Sequence, residues 1–234
     1  MGRRVTELVA GLCGETALAL APPLLAWAEA SRPFLTFLDH HQNKVRRKLR
    51  QASGSGPEEL ADVAAELGLA AWLLGERRWT LVYEPLAASG KRGPDFQVAS
   101  PDGGPGFFLE VTRLRPASTQ AALVPKLART VADKVGQLPA GAVNVLAVVL
   151  PPDTDGAAVW SAALRLLTAG SPAASGLDSR AFARGRAGLA ALLLFSSAPP
   201  QAPGLLVPLP GARHPLPAET VRRLRALASY RDSD

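Results

Sequence analysis

An α/β fold, with a mixed central β-sheet flanked by helices and a helical segment ahead of it, follows from three features of the sequence. Residues 79–113 hold three β-branched and aromatic runs, WTLVYEP, PDFQVAS and FFLEVTR, set apart by the Gly/Pro-bearing stretches ASGKRG and PDGGPG. Such punctuation predicts three successive strands of one meander. The continuous apolar run AVNVLAVVL at 142–150 has the length of a strand buried on both faces. A helical pattern lies between it and the third strand, and strand, helix, strand predicts a crossover and a parallel pair. Residues 1–52, finally, carry helical spacing.

The totals are those of a globular protein. A chain of 234 residues can bury a substantial core, and 47% apolar with 20% charged residues excludes a wholly disordered one. The 21 Gly and 21 Pro imply many turns, and the net charge of +6 favours a polyanionic partner such as nucleic acid over a neutral one. A single Cys13 excludes an internal disulfide and any Cys-based zinc site, which suits a reducing compartment, so a cytoplasmic location is expected.

The first thirty residues loosely imitate a secretory leader, with Arg3-Arg4, an apolar run from Ala17 to Ala28, and Ala28-Glu29-Ala30. Glu7 and Glu15 interrupt that pattern, Leu8, Leu12 and Cys13 fall at helical spacing, and Pro22-Pro23 suits a new helix beginning at Leu24. Helices are therefore expected here. No stretch reaches the roughly 18 apolar residues of a membrane span, so no membrane partner is expected.

From Leu24 to Gln51 the pattern is helical and ends in KVRRKLRQ. Lys44, Arg46, Arg47, Lys48 and Arg50 encircle this helix, which suits phosphate contacts and equally a solvated helix end. In Asp39-His40-His41, neighbours on a helix point about 100° apart, so a surface His pair is expected and not a chelate. Ser53-Gly54-Ser55-Gly56 reads as a flexible linker. It divides a helical segment, 1–52, from an α/β domain, 53–234.

Pro57-Glu58-Glu59 opens a helix with proline and acids in its first turn. Leu60, Val63, Ala64, Leu67, Ala71 and Leu74 form its buried stripe, and Glu66 lies about 100° from the stripe's centre, at the border with solvent. Glu84 ends the first strand before Pro85, a position equally open to a solvated acid. Asp95 opens the second strand behind Pro94. In the third, Phe108, Glu110 and Thr112 share one face and Phe107, Leu109 and Val111 the other. Glu110 must therefore face solvent or something that needs its charge.

The polar connection RLRPAST, with Arg113 and Arg115, leads into a helix over 119–138 whose apolar face is Val124, Leu127, Ala128, Val131, Val135 and Leu138. Lys134 flanks that face by about 80° and can reach the sheet, whereas Lys126 points about 160° away. After the strand at 142–150 come a helix from Gly156 to Ala169, a Gly/Ser/Pro loop, and a basic segment with Arg180, Arg184 and Arg186. Strands at 189–195 and 204–209 and a final helix from Ala218 to Tyr230 complete the chain. His214, in the loop GARHPLP, has no neighbouring His or Cys. No internal repeat, Gly-rich phosphate loop or nucleophile elbow appears.

Pro94-Asp95 and Glu110-Val111-Thr112, within roughly residues 58–150, resemble the PD-(D/E)xK superfamily of restriction-endonuclease-like nucleases. There an Asp at the start of one strand and a Glu inside the next hold a divalent cation, and a Lys two residues later steadies the attacking water. The resemblance implies Mg²⁺ or Mn²⁺ on Asp95 and Glu110, with Glu66 completing the set from the preceding helix and Glu84 as its rival. Thr112 stands where the family has its Lys. Lys134 is the expected substitute, with Gln137 and Lys91 as alternatives. The implied activity is phosphodiester hydrolysis in nucleic acid, DNA first, with Lys44, Arg46, Arg47, Lys48, Arg113 and Arg115 near the backbone. A catalytically inactive relative that binds nucleic acid or protein, and an unrelated α/β protein, are the competing readings. The oligomeric state is open, a homodimer included.

Overall fold

Proline placement and one serine cap divide the helical N-terminal region. The computed structural model describes residues 2–87, 93–99, 103, 106–169, 179–197 and 204–229. Helix α1 (Gly2–Cys13) buries Val5, Val9, Leu12 and Cys13. A short 3₁₀ turn at Leu18–Leu20 precedes α2 (Ala21–Ala30), whose first turn holds Pro22 and Pro23, where no intrahelical N–H is needed. Helix α3 follows at Arg32–Ser55. The helical pattern from Leu24 to Gln51 is divided between two helices, because Ser31 turns extended (φ −132°, ψ 105°) and its hydroxyl accepts the Phe34 N–H at 3.3 Å, with Pro33 in the first turn that follows.

The expected linker at 53–56 is also mostly helix. Ser53 and Ser55 donate their hydroxyls back to the carbonyls of Leu49 and Gln51 (2.8 and 3.1 Å), and Ala52 is buried, so α3 runs on through Ser55. Only Gly56, at φ 134°, leaves the helix, and α4 (Pro57–Leu74) starts at once.

Among the described residues, six strands form one sheet in the order of the sequence: β1 (Thr80–Tyr83), β2 (Phe96–Ala99), β3 (Phe107–Arg113), β4 (Asn144–Val149), β5 (Ala191–Phe195) and β6 (Gly204–Pro208). The expected meander is present, since β1 with β2 and β2 with β3 pair antiparallel. The crossover is present too: α5 (Gln120–Val135) carries the chain from β3 to a parallel β4, and α6 (Gly156–Thr168) and α7 (Ser179–Gly185) carry it to a parallel β5. β6 returns antiparallel, and α8 (Ala218–Ser229) packs against it. Gly106 is needed at the entry to β3, because a Cβ there would lie 2.2 Å from the Val98 carbonyl oxygen.

Each face of the sheet has its own core. One cluster joins Tyr83, Phe96, Leu109, Val145 and Leu193 to residues of α1 to α4 and α8, among them Leu12, Leu24, Phe34, Leu49 and Leu67. The other joins Leu146, Val148, Leu192 and Leu194 to Leu127, Val131, Trp160 and Phe182. β4 and β5 are buried on both faces, as a central parallel pair must be. The helices of the first 52 residues therefore share an apolar core with the sheet.

Candidate active site

The end of β1, the start of β2 and the middle of β3 meet α3, α4 and α5 around a cleft of about 480 Å³. Asp95 stands where β2 begins. Its Oδ2 accepts the Val111 N–H at 2.8 Å, taking a place in the ladder that a backbone carbonyl would otherwise fill, and this pins the carboxylate beside β3. Register supports the placement, since Phe96 faces Leu109 in the antiparallel pair and the preceding residue therefore falls next to Glu110. Glu110 and Thr112 both line the cleft, on the face opposite buried Leu109 and Val111. Lys134 of α5 reaches the sheet, as the wheel of that helix predicts, and donates to Glu110 Oε1.

Glu66 was placed at the border of core and solvent and proves buried, 8% exposed. Its Oε2 accepts both the Tyr83 hydroxyl at 2.9 Å and the Lys48 ammonium at 2.5 Å. The same ammonium lies 3.5 Å from Asp95 Oδ1 and 4.0 Å from Glu84 Oε1. Burial, followed by the charge of Asp95, pushes the Glu66 carboxyl up to about 8 against the pull of Lys48 and Tyr83. Burial raises Asp95 as well, opposed by Lys48, the Val111 N–H and Lys134. Burial alone would lower Lys48, but the carboxylates of Glu66 and Asp95 outweigh it and raise the ammonium's pKa. The centre of the cleft is thus a desolvated cluster in which acids outnumber the ammonium they share.

Glu84 has φ 46°, a left-handed conformation uncommon for a residue with a side chain. Three contacts hold it. Lys44 Nζ donates to the carbonyls of Tyr83 (2.6 Å) and Glu84 (3.2 Å), Arg47 donates to Glu84 Oε2 at 3.0 Å, and the Glu84 N–H bonds the Asp95 carbonyl at 2.8 Å.

The remaining basic candidates already have protein partners. Arg46 donates to the Gly11 carbonyl at 2.8 Å. Arg113 ties β3 to α4 through Glu58 and Asp62 (2.6 and 2.9 Å), and Arg115 approaches Glu59 at 3.4 Å. Arg47 and Arg115 keep 54% and 58% of their side chains exposed, and of the two only Arg47 lines the cleft. Gln137 lines a smaller pocket of about 250 Å³ that shares Gly93, Pro94, Glu110 and Lys134 with the main cleft. Lys91 lies outside the described residues. His41 is a correction to the surface pair: it is buried against Phe37 and Tyr83, and burial lowers its pKa, while His40 alone is exposed.

Sequence reasoning missed the place of Lys48, which it assigned to a basic surface run. The signal was there. His41, Val45, Leu49 and Ala52 form the buried stripe of α3, and Lys44 and Lys48 flank it just as Lys134 flanks the stripe of α5.

Among the described residues, no three His, Cys, Asp or Glu side chains are grouped closely enough to hold an ion unaided. This does not conflict with Mg²⁺ or Mn²⁺, because Mg²⁺ is commonly held by one or two carboxylates together with water and substrate phosphate. Asp95 and Glu110, adjacent on neighbouring strands with an all-oxygen donor set, fit that requirement. No helix among the described residues is long and apolar enough to cross a membrane. Compared with protein-family models, curated proteins and solved structures, the chain matches none.

Proposed function

We propose that this chain is a nuclease-like hydrolase of the restriction-endonuclease type, cleaving phosphodiester bonds in nucleic acid, DNA first, with Mg²⁺ or Mn²⁺. The observation that carries the reading is the gathering of Glu66, Asp95 and Glu110 with Lys48 and Lys134 in one cleft, from five separate elements. Asp95 and Glu110 would hold the ion, with Glu66 alongside. When bound, the ion would polarise the scissile phosphate and make a coordinated water more acidic.

The chain's own residues supply the rest. The Val111 N–H keeps Asp95 in place. Lys134, next to Glu110, offers an ammonium to the attacking water and to the charge that develops on phosphate oxygen. Thr112 adds a neutral hydroxyl to the lining where an ammonium is usual for this class, so the ammonium groups of the cleft come from α3 and α5 and not from β3. Arg47, exposed at the cleft, would meet backbone phosphates, contacts that carry no sequence preference. The single free cysteine accords with work in the cytoplasm.

A second reading is a catalytically inactive relative that binds nucleic acid or protein. It draws support from Thr112 and from the commitment of both cleft lysines to acids. Incubation of the purified protein with single-stranded, duplex and branched DNA separates the two. Cleavage that requires Mg²⁺ or Mn²⁺ and disappears in Asp95→Ala is expected. Salt-dependent binding with no cleavage under any of these conditions selects the second reading, and cleavage that survives Asp95→Ala removes the first.

A further inference from the structure

Three residues of α3 converge on one spot. Lys44, Arg47 and Lys48 occur at i, i+3 and i+4, so they share one side of the helix, and all three end on Tyr83, Glu84 or the acids beside them. Lys44 and Arg47 are anchors: they fix the strand end and the left-handed Glu84 in place. Lys48 does something else. It is the single described cation within 4.0 Å of three acids, Glu66, Asp95 and Glu84, which come from α4, β2 and the end of β1. Its side chain is 23% exposed, and those of Glu66 and Asp95 are 11% and 16% exposed. Carboxyl groups so close together and so poorly hydrated cannot both ionise without strong repulsion unless a positive charge lies between them.

We propose that Lys48 is the internal counter-ion of the cleft, a positioning residue that holds Glu66 and Asp95 together in the cation-free protein and gives up Asp95 when a divalent cation enters. This rests on the hydrolase reading above for the identity of the cation, and it assigns to α3 a part in the site that β3 does not supply. Two features make the exchange feasible. The contact to Asp95 is the longer one, 3.5 Å against 2.5 Å to Glu66, so the ammonium can release Asp95 while staying bound to Glu66. Glu84, at 4.0 Å, is a third acid towards which it can lean. A pre-formed acid pair held by an ammonium also lowers apparent cation affinity, because only the fraction of molecules with Asp95 released can bind.

The test is binding, read apart from hydrolysis. Mn²⁺ affinity of the full chain is measured by calorimetry, together with the rise in Tm that Mn²⁺ produces, for the wild type, Lys48→Met and Lys48→Arg. Lys48→Met keeps the length and loses the charge. It is expected to bind Mn²⁺ at least about tenfold more tightly and to show a lower Tm without metal and a larger Mn²⁺-induced rise. Lys48→Arg, which keeps the charge, is expected to bind no more tightly than the wild type, and it keeps the comparison meaningful if Lys48→Met folds poorly. Equal or weaker Mn²⁺ binding by Lys48→Met, or tighter binding by Lys48→Arg, overturns the proposal. A protein that binds Mn²⁺ as expected yet cleaves no DNA leaves the counter-ion standing and removes only the hydrolase reading.

Discussion

Glu66 shows how one buried side chain sets the pH response of the molecule. Its carboxyl keeps a proton up to about 8 in the folded chain, against an ordinary value of 4.5. Between those two values the folded state holds a proton that the unfolded state has released. The stability this group contributes is therefore complete below about 4.5 and declines as pH climbs towards 8. Asp95, also raised by burial, works in the same direction. Glu66→Gln, which imitates the protonated form, is expected to flatten the decline between pH 5 and pH 8, measured by urea unfolding in a metal-free buffer. Parallel pH profiles for variant and wild type would show that the carboxyl is not the source. Tyr83 belongs to the same unit: its hydroxyl donates to Glu66, and its ring stacks on Phe96 at 5.2 Å, so the polar cluster rests directly on the apolar core.

At the scale of elements, α3 is the helix on which the cleft depends. Its buried stripe, including Phe34, Leu38, Val45 and Leu49, locks it to the sheet's first core, and that fixes how Lys44, Arg47 and Lys48 are aimed. Leu49 is fully buried one residue beyond Lys48. Leu49→Ala is expected to destabilise the protein by about 2–5 kcal/mol through the cavity it leaves, checked by chemical denaturation. Removal of the Ser31 hydroxyl in Ser31→Ala should cost about 1 kcal/mol, because the Phe34 N–H loses its cap where α2 gives way to α3. A change below a few tenths of a kcal/mol would mean that Pro33 alone defines the start of α3. β3 plays the complementary part. Its alternation puts Leu109 and Val111 in the core and Glu110 and Thr112 in the cleft, so a slip of one residue would exchange the two sets.

Across the whole molecule, the cluster that contains Leu12, Leu24 and Phe34 also contains Tyr83, Phe96 and Leu109. Deleting residues 2–52 would expose that face of the sheet. The remainder, 53–234, is expected to lose cooperative thermal unfolding and to become protease-sensitive, which limited proteolysis and circular dichroism can check. A sharp unfolding transition in the shortened chain would show that the sheet and α4 to α8 suffice.

The strands of the sheet, and the directions of the first four, could be read from local pattern, because period-two alternation, a buried nine-residue run and Gly/Pro punctuation are properties of neighbours along the chain. The same is true of Asp95 at a strand's start, Glu110 on the polar face of β3 and Lys134 on the flank of α5. What local pattern left undecided was depth and company. A helical wheel gives the direction of Glu66 but not how much of the molecule covers it, and it gives no hint that Tyr83 and Lys48 share its oxygen. Ser53 to Ser55 looked like a linker by composition, yet hydroxyls that bond back to the preceding turn and a buried Ala52 keep them helical. Lys48 lies 47 residues before Asp95 and in a run of like charges. The stripe of α3 marks Lys48 as a flanking residue, but only the packing of α3 against the sheet decides which acids it meets, because an ion pair between distant segments depends on where the folded backbone brings them and not on spacing along the chain.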